Sequence, residues 1–405
     1  MMTNAIKSIF EFRNNEISSL NGIRAFSIVA VLISHYVSDI HRFETKVISN
    51  SLFFFLESFF SGVDMFFILS GFLISAGLNS GWKKTKKIDY KNFFIKRSMR
   101  IYPAFYFFIL LITLSYIIRI IIYKNFPLTD EISKKIFFFE NQISLTIYDA
   151  LYLSNFFDSA HTHFWSLALE EQFYLIFPFF AALFYFKLTP KLRLIVLIIL
   201  YFTPLIFRIF FYTEQISSSL PLPIYYMLKG FKRNDSIILG ILLMEIFFNH
   251  KNYFYKITEG KKGIILFLAG VFISFLGHFF YSGATNNKYF IFMFTIINIG
   301  YGLIFLSALR ADSFFVKFLS LPLFTPVARI SYGMYICHTQ LLYYFLKTTS
   351  LFFYQKKELT SLYEVSLLFI LYFLLTFFFS MMLYMFVEYP FLKWKDKITN
   401  RNIIK

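Results

Sequence analysis

Ionisable side chains inside apolar blocks are the groups of this 405-residue sequence with the clearest chemical potential, because each is costly in lipid. Arg24 and His35 lie eleven residues apart in the first such block. Eleven residues make about three helical turns, so the two share one face about 16 Å apart along the axis. A neutral imidazole at that depth could take a proton from a hydroxyl group. The plain structural alternative is an arginine that snorkels to the interface and a histidine bonded to a neighbouring helix. In the second block, Gly62-Val63-Asp64-Met65-Phe66-Phe67-Ile68-Leu69-Ser70-Gly71-Phe72-Leu73-Ile74 carries Asp64 and Gly71 on one face, with Ser70 beside them. The glycines permit close helix approach, and Asp64 needs a partner.

Lys96-Arg97-Ser98-Met99-Arg100-Ile101-Tyr102-Pro103 stands at the mouth of the third block. Arg97 and Arg100, three apart, could grip a phosphate-bearing ligand, since a guanidinium matches phosphate oxygens in pairs. A basic cluster that only fixes membrane orientation is the alternative. At the fourth block, His163-Phe164-Trp165-Ser166-Leu167-Ala168-Leu169-Glu170-Glu171-Gln172-Phe173-Tyr174 gathers two histidine- and tryptophan-bearing positions and two adjacent carboxylates. His163 and Glu170 share a face if the helix already includes His163. Weaker signals are Arg233, Asp235 and Gly240, the run Ile330-Ser331-Tyr332 to His338, and Glu388-Tyr389-Pro390-Phe391.

The elements that must hold these groups follow from composition. The chain is 58% hydrophobic, 23% aromatic and 16% charged, with a mean hydropathy of +0.61. A soluble domain is nearer a quarter charged, so soluble enzymes are excluded. The net charge of +17 falls in short basic runs between apolar blocks, which fits the positive-inside rule better than nucleic-acid binding. Cys337, the sole cysteine, can form no intramolecular disulfide and lies in an apolar stretch.

Blocks of roughly 20 apolar residues suffice to cross a bilayer. They fall near residues 20–38, 57–79, 102–123, 166–187, 193–212, 235–249, 263–281, 289–309, 326–346 and 363–387, the sixth being short. The expected fold is therefore all-α: a polytopic membrane helix bundle of about ten transmembrane helices with both termini cytoplasmic. Basic residues at 83–100, 187–193, 251–262 and 393–401 all fall on one side of such a bundle, the cytoplasmic one. The 124–165 connector then faces out, and its aromatic stretch, interrupted by Glu140, Asn141, Gln142 and Asp149, reads as interfacial. The expected divisions are an N-terminal cytoplasmic segment (1–19), a transmembrane domain (20–391) and a basic cytoplasmic tail (392–405). The first block is expected to be an uncleaved span, because the residues before it show no short apolar region followed by a small-residue cleavage site.

Together these segments resemble the acyltransferase-3 family of integral-membrane acyltransferases, which O-acylate surface polysaccharides and other glycans. Leu20-Asn21-Gly22-Ile23-Arg24-Ala25 followed by His35 is similar to the family's opening motif, with Asn21 in place of the commoner aspartate. The Gly62–Ile74 segment, the Arg97-x-x-Arg100 run with Lys96 before it, the Trp165 to Tyr174 block and the two late segments resemble their family counterparts in order.

The resemblance implies an acyl-CoA donor, usually acetyl-CoA, with no metal, and His35 as the catalytic residue with Arg24, Arg97 and Arg100 binding the donor. Glu170 and Glu171 are the further catalytic candidates: approached from outside, they would orient the imidazole or bind sugar hydroxyls. Asp64, Ser70, His163, Trp165 and His338 are candidate substrate-binding residues. The implied activity is an O-acetyltransferase of the bacterial cytoplasmic (inner) membrane. It would act on O-antigen of lipopolysaccharide, exopolysaccharide or a lipid-linked oligosaccharide, among membrane lipids and without nucleic acid. Many relatives add an extracytoplasmic esterase-like domain, and this chain resembles the stand-alone type. A proton-coupled secondary transporter using His35, Asp64 and Glu170 is the competing class.

Overall fold

A computed structural model describes residues 2–12, 16–41, 47–212, 233–283, 288–310, 314–349 and 361–401. Arg13 of the expected N-terminal segment and residues 402–405 of the expected tail lie outside them. Among the described residues every regular element is helical. In chain order they are α1 (Met2–Phe10), α2 (Ser19–His41), α3 (Asn50–Glu57), α4 (Gly62–Thr85), α5 (Tyr90–Lys124), α6 (Asp130–Ala150), α7 (Trp165–Leu183) and α8 (Pro190–Tyr212). There follow α9 (Asp235–Asn249), α10 (Lys251–Thr258), α11 (Lys261–Gly283), α12 (Lys288–Ala308), α13 (Phe314–Leu319), α14 (Phe324–Thr349), α15 (Leu362–Leu383) and α16 (Tyr389–Arg401).

Among the described residues, eight helical stretches are long and apolar enough to cross a membrane: Ser19–His41, Asn50–Thr85, Tyr90–Lys124, Thr162–Lys187, Pro190–Ile209, Lys261–Tyr281, Ile291–Ala308 and Leu362–Thr399. The all-α polytopic bundle expected from the sequence is the fold observed. Two of the ten anticipated spans form helices outside that set. Asp235–Asn249 has only 15 residues. Phe324–Thr349 has 26 but spends several on Arg329, Ser331, His338, Thr339 and Gln340, which lower its hydropathy. Both are shielded by the bundle: most of α9 and the central stretch of α14 are buried.

Helix α2 packs against both α4 and α14. One apolar core joins α2, α5, α14 and α15, around buried Ile28, Leu32, Phe105, Ile336 and Tyr372. A second joins α4, α7, α9 and α12 around Ile68, Phe72, Tyr185, Met244 and Phe305. Helices α4 and α9 cross backbone to backbone. A Cβ on Gly71 would stand 2.1 Å from the Ile237 carbonyl oxygen, and one on Gly240 2.2 Å from that of Ile68.

Three features depart from the simplest reading of the sequence. Helix α5 begins at Tyr90, capped by Asp89, whose side chain accepts the Asn92 amide at 3.0 Å, and runs through Pro103 without a break. The basic run at 96–100 is therefore helical, with Arg97 and Arg100 lining a cavity between helices while Lys96 is exposed. Helix α6 returns along α5, with Phe139 beside Tyr116 and Tyr123 (ring centroids 5.6 and 6.1 Å) and the Ala150 carbonyl accepting from Tyr106 (3.0 Å). The N-terminal segment is also part of the fold: Ala5 and Ile9 are buried, Ser8 meets the Tyr384 hydroxyl at 3.1 Å, and Glu16 pairs with both terminal nitrogens of Arg329 at 2.8 and 3.1 Å.

Candidate functional site

A cavity of about 160 Å³ lies between α2, α4, α5, α7 and α14. Arg24, Arg97 and Arg100 line it, together with Ser70, Glu170, Glu171 and Tyr174. Arg24 enters from the first turns of α2, and Arg97 and Arg100 from the second and third turns of α5. Among the described residues none of the three guanidiniums forms an ion pair within 4 Å of a carboxylate. Arg97 lies over the Tyr174 ring at 5.2 Å. Three cations held so close repel one another unless an anion joins them.

The carboxylates are organised from a different direction. Ser70 donates to Glu170 Oε1 at 2.5 Å and accepts from the Tyr174 hydroxyl at 3.0 Å, which ties α4 to α7. Glu171 faces the Tyr102 hydroxyl. The sequence led us to expect the arginines at an inner mouth and the two glutamates at an outer entrance. The structure instead places all five in one cavity, because α5 is helical from Tyr90 and carries its arginines inward, while Glu170 lies more than a turn inside α7.

Tyr335 closes one wall of this cavity. Its hydroxyl meets Ser166 at 2.5 Å and donates to the His163 carbonyl at 2.9 Å. Behind it three imidazoles touch: His35 to His338 with ring centroids 4.8 Å apart, and His338 to His163 at 4.9 Å. His163 and His338 are buried and His35 is partly exposed. His35 and Arg24 thus belong to neighbouring compartments of one site, with Tyr335 between the cavity and the imidazoles.

Asp64 and Trp165 lie outside the cavity lining. Asp64 is buried, bonded to Arg233 and to Ser236 Oγ (2.6 Å), and Trp165 covers that guanidinium at 5.0 Å. Arg208 and Asp235 form a second buried pair at 2.8 Å nearby. The sequence had marked Arg233 and Asp235 without assigning them partners. Tyr335, Tyr174 and Ser166 were inside quoted motifs but carried no charge to single them out. The buried pair His161–Asp149 (3.0 Å) was missed, since Asp149 read only as an interruption of an aromatic stretch.

Membrane-length helices around a cavity lined by three arginines that have no carboxylate ion-pair partner among the described residues, with a histidine cluster behind a tyrosine, define an integral membrane protein. A family model described as an acyltransferase domain, acyltransferase-3, matches residues 17–385, and the chain belongs to that family. It is 28% identical over 327 residues to the O-acetyltransferase OatA of Staphylococcus aureus, an alignment covering 79% of this chain and 49% of that protein. The peptidoglycan O-acetyltransferase OatA of Listeria monocytogenes is 32% identical over 196 residues, 48% of this chain and 29% of the relative. A putative peptidoglycan O-acetyltransferase, YrhL of Bacillus subtilis, is 28% identical over 183 residues, 44% of this chain and 26% of the relative. The chain spans about half the length of the Staphylococcus relatives it matches. No solved structure matches it.

Proposed function

We propose that the protein is a membrane O-acyltransferase that moves an acetyl group from acetyl-CoA to a hydroxyl of a cell-surface glycan. The observation that carries this reading is the cavity lined by Arg24, Arg97 and Arg100, none of which forms an ion pair with a carboxylate among the described residues. Coenzyme A is anionic, and guanidinium groups recognise phosphate oxygens by paired, charge-assisted hydrogen bonds. A volume of about 160 Å³ is below the ~300–1,000 Å³ of ordinary ligand pockets. It suits one part of the donor, the remainder lying outside.

In this reading His35 is the base. Its Nδ1 lies 3.0 Å from the Val31 carbonyl oxygen, which fixes the proton on Nδ1 and leaves Nε2 to receive the proton of the acceptor hydroxyl. Glu170, oriented by Ser70, and Glu171 offer acceptor atoms for hydroxyl groups or for the arginines between turnovers. Asp64 and Trp165 act at one remove, fixing Arg233 and the helix walls, and His163 holds the imidazole cluster. The acceptor is a glycan. The names of the relatives make peptidoglycan the first to test, ahead of O-antigen, exopolysaccharide and lipid-linked oligosaccharide. In this reading the protein lies in the bacterial cytoplasmic membrane, with segments 1–19 and 392–405 inside and residues 20–391 as the transmembrane domain.

The test is acetyl-CoA consumption and release of free coenzyme A by membranes containing the protein, with and without acceptor glycan. Analysis of the host's surface glycans with and without the protein accompanies it. Acceptor-dependent release and loss of O-acetyl groups are expected. Neither occurring overturns the reading.

A further inference from the structure

The three touching imidazoles differ in how their nitrogens are used. His35 Nδ1 is 3.0 Å from the Val31 carbonyl oxygen, and His338 Nδ1 is 2.6 Å from that of Tyr335. A carbonyl only accepts, so both Nδ1 atoms carry the proton and both Nε2 atoms carry a lone pair. His163 is fully committed: Nε2 donates to the Ile336 carbonyl and Nδ1 accepts from the Thr339 hydroxyl, each at 3.2 Å. The lone pairs left over in the cluster belong to His35 Nε2 and His338 Nε2.

His338 Nε2 is the unusual one. The residue is completely buried, and that nitrogen has no hydrogen-bond partner among the described residues. A sealed acceptor without a donor is destabilising, and an apolar side chain would avoid it. The rest of the residue is held firmly: the Tyr372 hydroxyl donates to its carbonyl at 3.2 Å, and Tyr335, which carries its Nδ1 bond, is itself fixed to His163 and Ser166. The ring in contact with it that has a nitrogen to spare is His35, at 4.8 Å.

We propose that His338 is the positioning residue of the protonated state of His35. The inference rests on the reading of His35 as the base. During transfer the acceptor O–H bond breaks and its proton passes to His35 Nε2. The acceptor oxygen forms the new bond to the acyl carbon, and the carbon–sulfur bond of the thioester breaks. The proton then moves from His35 to the coenzyme sulfur, so that both imidazoles finish neutral. Between those events His35 is a cation, and the unshared lone pair of His338 favours that cation over the neutral ring. His338 touches no reacting atom and acts through His35 alone.

The experiment compares His338→Phe, His338→Gln and His35→Ala in membranes, measuring kcat and the KM for acetyl-CoA. Phe fills the site without an acceptor, and Gln supplies both an amide donor for the Tyr335 carbonyl and an acceptor oxygen. We expect His338→Phe to lower kcat about tenfold to a hundredfold with donor KM unchanged, the size of a lost hydrogen bond to a charged group. His338→Gln should recover most of that loss. Where Phe prevents insertion, His338→Leu is read in its place. Wild-type kcat in the apolar variant, or equal losses in the apolar and Gln variants, overturns the role of His338. An active His35→Ala overturns the base assignment instead, so the two failures are distinct.

Discussion

Asp64 and Arg233, 169 residues apart in the chain, form an ion pair, Asp64 buried and Arg233 largely so, that joins the start of α4 to the residue two before α9. Arg233 is further enclosed by Phe294, Trp165 and Phe60, with its guanidinium 4.1, 5.0 and 5.3 Å from their ring centres. Removing one partner of such a pair strands the other charge, which costs roughly 3–5 kcal/mol. Asp64→Ala should therefore lower the thermal unfolding temperature in detergent markedly. Asp64→Asn, which keeps a hydrogen-bond acceptor for Arg233, should do so less. The comparison is made by a thermal-shift assay on purified protein, and equal, negligible shifts would show that the pair contributes nothing.

His35→Ala should abolish acyl transfer while leaving the protein in the membrane at normal abundance. The side chain is partly exposed and its one hydrogen bond among the described residues goes to its own helix, so its loss leaves no buried partner stranded there. The measurement is acceptor-dependent release of coenzyme A against protein level by immunoblot. Near-normal release would remove His35 from the mechanism.

Replacing Arg97 and Arg100 by Gln should raise the apparent KM for acetyl-CoA, since each lost charge-assisted hydrogen bond is worth roughly 1.5–3 kcal/mol, or about tenfold or more. Lysine at either position should rescue only in part, because it restores charge without the planar fork. Both arginines line the cavity and neither is engaged by a carboxylate among the described residues, so the variants should insert normally. An unchanged donor KM in a correctly inserted double variant would leave the cluster with an orienting role only.

The fold was legible in the sequence because lipid imposes a length and a hydropathy that few residues violate. Where residues violate them, the reading was hardest. Helix α14 is shielded by α2 and α15, so its polar residues face protein and its hydropathy understates its depth. The close approach of α4 and α9 was visible in Gly71, whereas its partner Gly240 could be paired with it only in three dimensions. The same limit applies to the site. Arg24, Arg97, Arg100, Glu170 and Glu171 stand out as charges in apolar blocks, but nothing in their spacing says that they share one cavity. The partner of Asp64 and the unpaired nitrogen of His338 depend on contacts between segments more than a hundred residues apart.

Sidedness is the last expectation, and the shared cavity sharpens it. Positive-inside placement puts the basic residues at 83–100 and 251–262 in the cytoplasm and the 124–163 segment outside. Thr85, at the end of α4, is exposed, and Ser159 lies partly exposed between α6 and α7. With Cys337 replaced by Ser, a cysteine at Ser159 should react with a membrane-impermeant thiol reagent in intact spheroplasts, and one at Thr85 only after lysis. Cys337 itself is buried beside Ser380 and should give little background even before replacement. Because Glu170 and Glu171 share the arginine cavity, donor and acceptor would then meet at the Tyr335 wall, the acyl end arriving from the Arg97 side and the hydroxyl from the His35 side. Labelling in the reverse order would put the phosphate-suited arginines on the face away from cytoplasmic coenzyme A. Transfer across the membrane by this route would then have to be abandoned, even for a protein that proved to be an acyltransferase.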